Sequence, residues 1–289
     1  MELRFNELRG EQVVYAAHRQ DRTFLPARDD CPLCGRPALE VFPNDFPALT
    51  PPDGASEVIV YSQDHDASFA TLPAELAEGV VGVWRDRWAE LGARPGIEYV
   101  MPFENRGEQV GVTLHHPHGQ VYAFPFVPPV PAAEMAADER LGGCAVCAAR
   151  DAELAAGDRV VHDAGSYVAY VPYAARWPYE VHVVAREHRP SLVDCSAAEL
   201  SELAAALQAV TRGYDELFGF AFPYILCVHQ APTGRNGGGH LHAELYSPVR
   251  TRGKVKHLAG CEQGAGTMLM DVLPETTAAE LRAAIQRAG

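Results

Sequence analysis

The sequence predicts an α+β protein built by internal duplication: two similar halves, each an antiparallel sheet with one principal helix. Three observations point there. Each half carries one long stretch with apolar residues at helical spacing, set among short β-rich runs. A Cys-x-x-Cys pair opens the strand series of each half, as Cys31/Cys34 and Cys144/Cys147. A histidine-rich strand ends each series, HHPHGQVYAFP and later GGHLHAELYSP, and the 51 residues from His65 to His116 nearly repeat the 52 from His188 to His240. The halves are expected at 1–130 and 131–289, with the Pro/Ala-rich stretch 127–158 as their boundary.

Composition narrows the function. The chain has 289 residues, 47% hydrophobic and 21% charged, as a water-soluble globular protein would. No apolar run nears the length of a membrane span, and MELRFNELRGE lacks a secretory apolar core, so a cytoplasmic location is expected. A net charge of −14 opposes general binding to nucleic acid or anionic membranes. An anionic substrate therefore needs locally placed arginines, lysines or helix N-termini. Seven cysteines, four of them in two CxxC pairs, suggest metal binding in a reducing compartment before disulfides.

Along the chain, Val13 to Ala17 reads as a strand, followed by Arg19 and Arg22. By themselves these are two arginines that can as well be solvated. Cys31 and Cys34 lie in a Pro/Gly-containing turn of zinc-knuckle type, with a redox CxxC as the rival. EVIVYSQDH is a strand ending at His65. Pro73 to Leu91 is a helix whose stripe of Leu76, Val80, Val83, Trp84, Trp88 and Leu91 belongs to a core. A strand from Ile97 to Pro102 then delivers Glu104 and Asn105.

Phe103 to Phe126, FENRGEQVGVTLHHPHGQVYAFPF, is the centre of the chain. In an extended segment His116, His118 and Gln120 share one side, and Gly119 would let a ligand approach the backbone. A neutral imidazole can attack phosphorus and form a phosphoramidate, splitting one transfer into two. A glutamine donates N–H to a phosphoryl oxygen without titrating. In the second half, strands are expected around Tyr167–Val171 and Val181–Val184. A helix follows, opened by a Ser196/Glu199 capping box and closed by Gly219. His240, His242 and Glu244 then mirror His116, His118 and Gln120. A short terminal helix is expected with Thr277 and Glu280 at its cap.

FENRG followed by HPHGQ resembles the galactose-1-phosphate uridylyltransferases, a branch of the histidine-triad superfamily, and the resemblance runs over nearly the whole chain. It implies two histidine-triad-like halves, with His118 the uridylylated nucleophile and Gln120 holding the phosphoryl group. It also implies a zinc site at Cys31, Cys34, His65 and His116. Asn44 and Asp45 match residues that recognise uridine, and Asn105 matches one that contacts the nucleotide phosphate. Thr113 can donate a hydroxyl, although Leu114 and His115 depart from the family pattern. Arg19 and Arg22 match arginines that reach a neighbouring subunit's site, which implies a homodimer with shared active sites. Lys256 and Glu262 match residues of the sugar and phosphate site, where a family glutamine falls at Met268.

The implied reaction moves UMP between UDP-glucose or UDP-galactose and hexose 1-phosphates, ping-pong through His118. Cys144, Cys147, His188 and His240 would make a second zinc site. The alternative, after members with one Glu and three His ligands to iron, is Glu134, His229, His242 and Glu244. Two rival functions stay open: a related ADP-sugar or dinucleoside polyphosphate transferase or phosphorylase, and a non-catalytic zinc-stabilised nucleotide-binding module.

Overall fold

A computed structural model describes residues 1–22, 24–234 and 238–289. The chain opens with a hairpin of β1 (Glu2–Asn6) and β2 (Glu11–Tyr15). The first half continues with β3 (Val41–Pro43), β4 (Ala55–Val60), α1 (Ala74–Gly92), β5 (Tyr99–Arg106) and β6 (His118–Phe124). After α2 (Pro129–Leu141), α3 (Ala145–Ala156) and β7 (Val160–Ala164) come β8 (Tyr167–Tyr170), β9 (Val181–Ala185), α4 (Ala197–Phe218), β10 (Tyr224–His229) and β11 (His242–Tyr246). The ribbon β12 (Val249–Thr251) with β13 (Lys254–Val255) and helix α5 (Pro274–Ala288) complete it.

Nine strands form one antiparallel sheet in the order β3-β4-β6-β5-β10-β11-β9-β8-β7. The order is a palindrome about the β5–β10 pair, apart from the added β7. Thus β3, β4, β6 and β5 of the first half answer to β8, β9, β11 and β10 of the second, as the duplication expects. What the sequence did not reveal is that the two sheets join edge to edge. Leu226 pairs with Glu104 and Cys227 with Phe103 across the seam. The join removes the exposed edges that β5 and β10 would otherwise present. Arg106 on β5 clasps Asp215 on α4 through two bonds of 2.8 and 2.9 Å, fixing the halves further.

The principal helices follow their apolar periods. Ala77, Val80, Val81, Trp84 and Leu91 of α1 are buried, and Trp88 packs on the same core. In α4 the Ser196 hydroxyl accepts from the Glu199 amide at 3.2 Å and the Glu199 carboxylate accepts in return from the Ser196 amide at 2.8 Å. Gly219 ends that helix at φ 67, a conformation that costs glycine least. Both helices lie on the sheet face to which Val100, Val121, Val183 and Leu226 point. Gln208 of α4 donates to the Phe69 and Leu72 carbonyls at 3.0 and 2.9 Å, so the halves interlock on that face as well.

Three expectations need correction, and one stretch gains detail. The N-terminal strand is Glu11–Tyr15 rather than Val13 to Ala17, because a short 3-10 turn occupies Ala17–Asp21. The boundary stretch, for which no elements are expected or excluded, folds into α2 and α3, whose glycine caps at Gly142 and Gly157 are left-handed. The terminal helix starts earlier, at Pro274, whose preset φ suits a first turn. Thr277 lies buried inside that helix and donates back to the Pro274 carbonyl at 3.1 Å. Finally, His116 does not share the face of His118 and Gln120. Pairing of β6 begins at His118, opposite Val60, since Pro117 has no amide to donate, and His116 turns into the Cys31/Cys34 turn instead.

Candidate active site and metal-binding clusters

His118, Gln120 and Tyr122 point away from the helices, into a cavity of about 290 Å³ on the opposite face of the sheet. Its walls include Arg19, Arg22, Asn44, Asp45, Asn105 and Thr113, so eight of the sequence-predicted residues meet in one pocket. Leu33, Phe42, Phe46, Val58 and Phe103 supply apolar walls. Arg36 lies over the Phe42 ring, 3.8 Å from its centre.

The histidine in the middle of this pocket has a defined tautomer. His118 Nδ1 lies 2.7 Å from the His116 carbonyl oxygen, which only accepts, so Nδ1 carries the proton. Nε2 is left with the lone pair. Burial holds the imidazole below its ordinary pKa, with the bond to the His116 carbonyl opposing. The ring is therefore neutral and nucleophilic at pH 7.

Gln120 is oriented in the same way. Its Oε1 accepts from Asn44 Nδ2 at 3.3 Å and from the Tyr122 hydroxyl at 3.4 Å. That leaves the amide N–H groups as the free end. Asn44 is engaged at both ends, because its Oδ1 accepts from the Phe46 amide at 2.8 Å. Arg19 donates to the Phe46 carbonyl at 2.5 Å and to the Tyr122 hydroxyl at 3.4 Å, closing a chain from Arg19 to Gln120. The sequence reading missed Tyr122. Its signal was the period of two from His118 through Gln120.

Two predicted residues do not join this pocket. Lys256 and Glu262 pair with each other at 2.9 Å, both nearly buried, and Lys256 also donates to the Leu269 carbonyl at 2.5 Å. Arg19 and Arg22, expected at a neighbour's site, border the pocket of their own chain.

Three side-chain groups could each hold a metal ion, with ligand atoms within 4.8 Å of one another. In the first, Cys31, Cys34, His65 and His116 converge. Cys34 Sγ lies 3.3 Å from His65 Nδ1 and 3.6 Å from His116 Nδ1. His116 Nε2 donates to the Ser62 carbonyl at 2.7 Å, so Nδ1 is the lone-pair nitrogen and faces the sulfur. Such an outer hydrogen bond is what fixes a metal-ligating imidazole. The second, Cys144, Cys147, His188 and His240, repeats the arrangement. Cys147 Sγ lies 3.2 Å from His240 Nδ1 and 3.6 Å from His188 Nδ1, and His240 Nε2 donates to the Ala185 carbonyl at 3.0 Å.

The third group, Glu134, His229, His242 and Glu244, was expected only as an alternative to the second. Both are assembled together, since adjacent ligands of β11 and the turn before it serve different clusters: His240 the second and His242 the third. His229 Nδ1 lies 2.7 Å from Glu134, and His182, unforeseen from sequence, bridges Glu180 and Glu244 at 3.0 and 3.2 Å. Burial alone would raise the Glu244 pKa, but His182, His242 and His229 hold it well below the usual carboxylate range. Strand registers show where this group lies. Gln120 pairs with Val58 and Phe103, and Glu244 pairs with His182 and Cys227. The third group thus occupies the second half's equivalent of the His118 pocket.

The comparisons with known proteins give the family. Residues 44–128 match the sequence model of the galactose-1-phosphate uridyl transferase N-terminal domain, and residues 135–288 match that of its C-terminal domain. A galactose-1-phosphate uridylyltransferase of Thermotoga maritima is 35% identical, with 98% of each chain covered. One from Streptomyces lividans is 40% identical over 81% of this chain and 71% of its own. A solved uridylyltransferase structure superposes with a TM-score of 0.89 at 31% identity, over 99% of both chains. With His118 and Gln120 facing one pocket and a Cys/His cluster beside it, the chain belongs to the galactose-1-phosphate uridylyltransferase family.

Proposed function

We propose that this protein transfers UMP between UDP-glucose and galactose 1-phosphate through a covalent intermediate on His118. The observation that carries the reading is the His118 tautomer: Nδ1 is tied to the His116 carbonyl at 2.7 Å, and Nε2 is free in a pocket shared with the Gln120 amide. Nε2 attacks the α-phosphorus, the bond to the departing phosphate breaks, and glucose 1-phosphate leaves with the electron pair. A phosphate oxygen of galactose 1-phosphate then attacks, the N–P bond breaks, and its electron pair returns to Nε2, giving UDP-galactose. Both leaving groups are weakly basic, so no general acid is needed. Positioning and charge stabilisation by Gln120, Thr113, Asn105, Arg19 and Arg22 lower the barrier. Asn44 and Asp45, both in the pocket wall, serve the uridine end.

The two Cys₂His₂ clusters are read as zinc sites, since two sulfurs and two imidazoles suit a tetrahedral ion of that softness. Their task is structural. Zinc at the first would hold His116, and through Pro117 the nucleophile. The carboxylate-rich third cluster would suit iron. Residues 1–130 thus carry the nucleophile and one metal site, and residues 131–289 the other clusters. The protein is further read as a cytoplasmic homodimer. Two CxxC pairs disposed as metal ligands support a reducing compartment, and no helix among the described residues is long and apolar enough to cross a membrane. The dimer reading rests on the resemblance, in which Arg19 and Arg22 match arginines that reach a neighbouring subunit's site.

Incubation with UDP-glucose or ADP-glucose, followed by intact mass, tests the reading. UDP-glucose should leave a UMP adduct that survives alkali and is lost in acid, absent from His118→Asn. An adduct of equal yield in that variant, or one formed only from ADP-glucose, would overturn it.

A further inference from the structure

Gly119 stands between the nucleophile and Gln120, yet its backbone does not require glycine, because its φ lies outside the left-handed region. Nor does its bare side face the pocket. His118 and Gln120 point to the cavity, so the intervening residue points to the helices. There a Cβ would fall on the Tyr61 hydroxyl oxygen and lie 2.7 and 2.9 Å from Cζ and Cε1 of the same ring. The expectation that Gly119 admits a ligand is corrected by this contact: what it admits is a phenol from the core.

Tyr61 holds the same segment a second way. Its amide donates to the Pro117 carbonyl at 3.0 Å, directly between His116 and His118. The ring is fully buried and packs edge-on against Phe69, 6.1 Å away. Among the described residues neither its hydroxyl nor Oε2 of buried Glu104 has a hydrogen-bond partner of normal geometry, and the Glu104 carboxylate and the Trp84 indole both bear on the phenol. Glu104 precedes Asn105 on β5, so this polar pair underlies both strands that carry the pocket.

The second half supplies an internal comparison. Val60 pairs with His118 and Val184 with His242, so Tyr61 answers to Ala185 and Gly119 to Ala243. The large and absent side chains of the first half are two small ones in the second. The equivalent amide bond is also longer there, Ala185 to the Leu241 carbonyl at 3.5 Å. The tight seat belongs to the half with the nucleophile.

We propose that Tyr61 is a positioning residue for His118, acting through its seat in the Gly119 notch and its bond to Pro117. The proposal rests on the uridylyl-transfer reading above. Its test is a double-mutant cycle of Tyr61→Ala and Gly119→Ala, whose double variant copies the Ala185/Ala243 pair. Three quantities are measured: single-turnover uridylylation, UMP affinity, and Tm, which needs no substrate. Gly119→Ala alone should slow uridylylation by at least ~100-fold, the scale of an ångström's misplacement. In the Tyr61→Ala background the same methyl should cost less than ~5-fold, with UMP affinity unchanged throughout.

An equal cost of Gly119→Ala in both backgrounds would overturn the proposal, because the glycine would then serve something other than Tyr61. Coupling in Tm without coupling in rate would also overturn it, leaving a packing contact only. Should Tyr61→Ala not fold, Tyr61→Leu clears the same notch and takes its place. A wild-type chain that forms no adduct refutes the transfer reading and the positioning role with it, while coupling in Tm still registers the contact.

Discussion

Replacing Glu104 by glutamine changes the charge of a carboxylate buried at the β5–β10 seam without changing its shape. Glu104 is 5% exposed; its Oε1 accepts from the Tyr224 hydroxyl at 2.9 Å and its Oε2 has no partner among the described residues. Burial raises its pKa from the ordinary 4.5 to about 7, against the opposing pull of Tyr224 and of Arg106. The folded chain therefore holds this proton more tightly than the unfolded chain does. The group adds its full stability below pH 4.5, and loses it as pH rises through about 7. At 1.36 kcal/mol per pKa unit the whole effect is about 3 kcal/mol, most of it lost between about pH 5 and pH 8. Glutamine keeps an oxygen for Tyr224 and never ionises. Urea unfolding of both proteins across that range reads the difference, in which every other titrating group cancels. Wild type minus Glu104→Gln should fall by about 2–3 kcal/mol from pH 5 to pH 8. Parallel pH profiles would refute the reasoning and place a compensating group beside Oε2.

Three further predictions concern the pocket and the clusters. Gln120→Ala should slow uridylylation by ~10²–10³, the usual scale for one oxyanion donor, as read in a single turnover. Cys144→Ser/Cys147→Ser should lower the zinc content by about one ion per chain and lower Tm, since a structural site's binding is coupled to folding. Unchanged zinc by metal analysis would make the second CxxC a relic of duplication. Mixing His118→Asn with Arg19→Ala/Arg22→Ala should restore activity through mixed dimers if the arginines serve a neighbour. No recovery after verified subunit exchange would mean that each site takes them from its own chain.

Much of the molecule is determined by short-range pattern. The helices are legible because Trp84 and Leu207 recur with their neighbours at the helical period, and because Ser196, Glu199 and Gly219 satisfy or relax the ends of α4 locally. The duplication is legible because metal-type ligands keep their spacing while the residues around them change. HPHGQ marks the candidate nucleophile, since few other uses need those residue types in that order. Sequence stops where a contact joins distant segments. Which nitrogen of His118, His116 or His240 keeps its lone pair depends on the carbonyls of His116, Ser62 and Ala185, two of them more than fifty residues away. The β5–β10 join pairs residues over a hundred positions apart, so no periodicity foretells it. The same holds for Tyr61 beneath Gly119, for the pairing of Lys256 with Glu262 away from the pocket, and for the simultaneous assembly of the second and third clusters. Local chemistry names the candidates, and packing between remote segments decides which atom of each one faces the pocket.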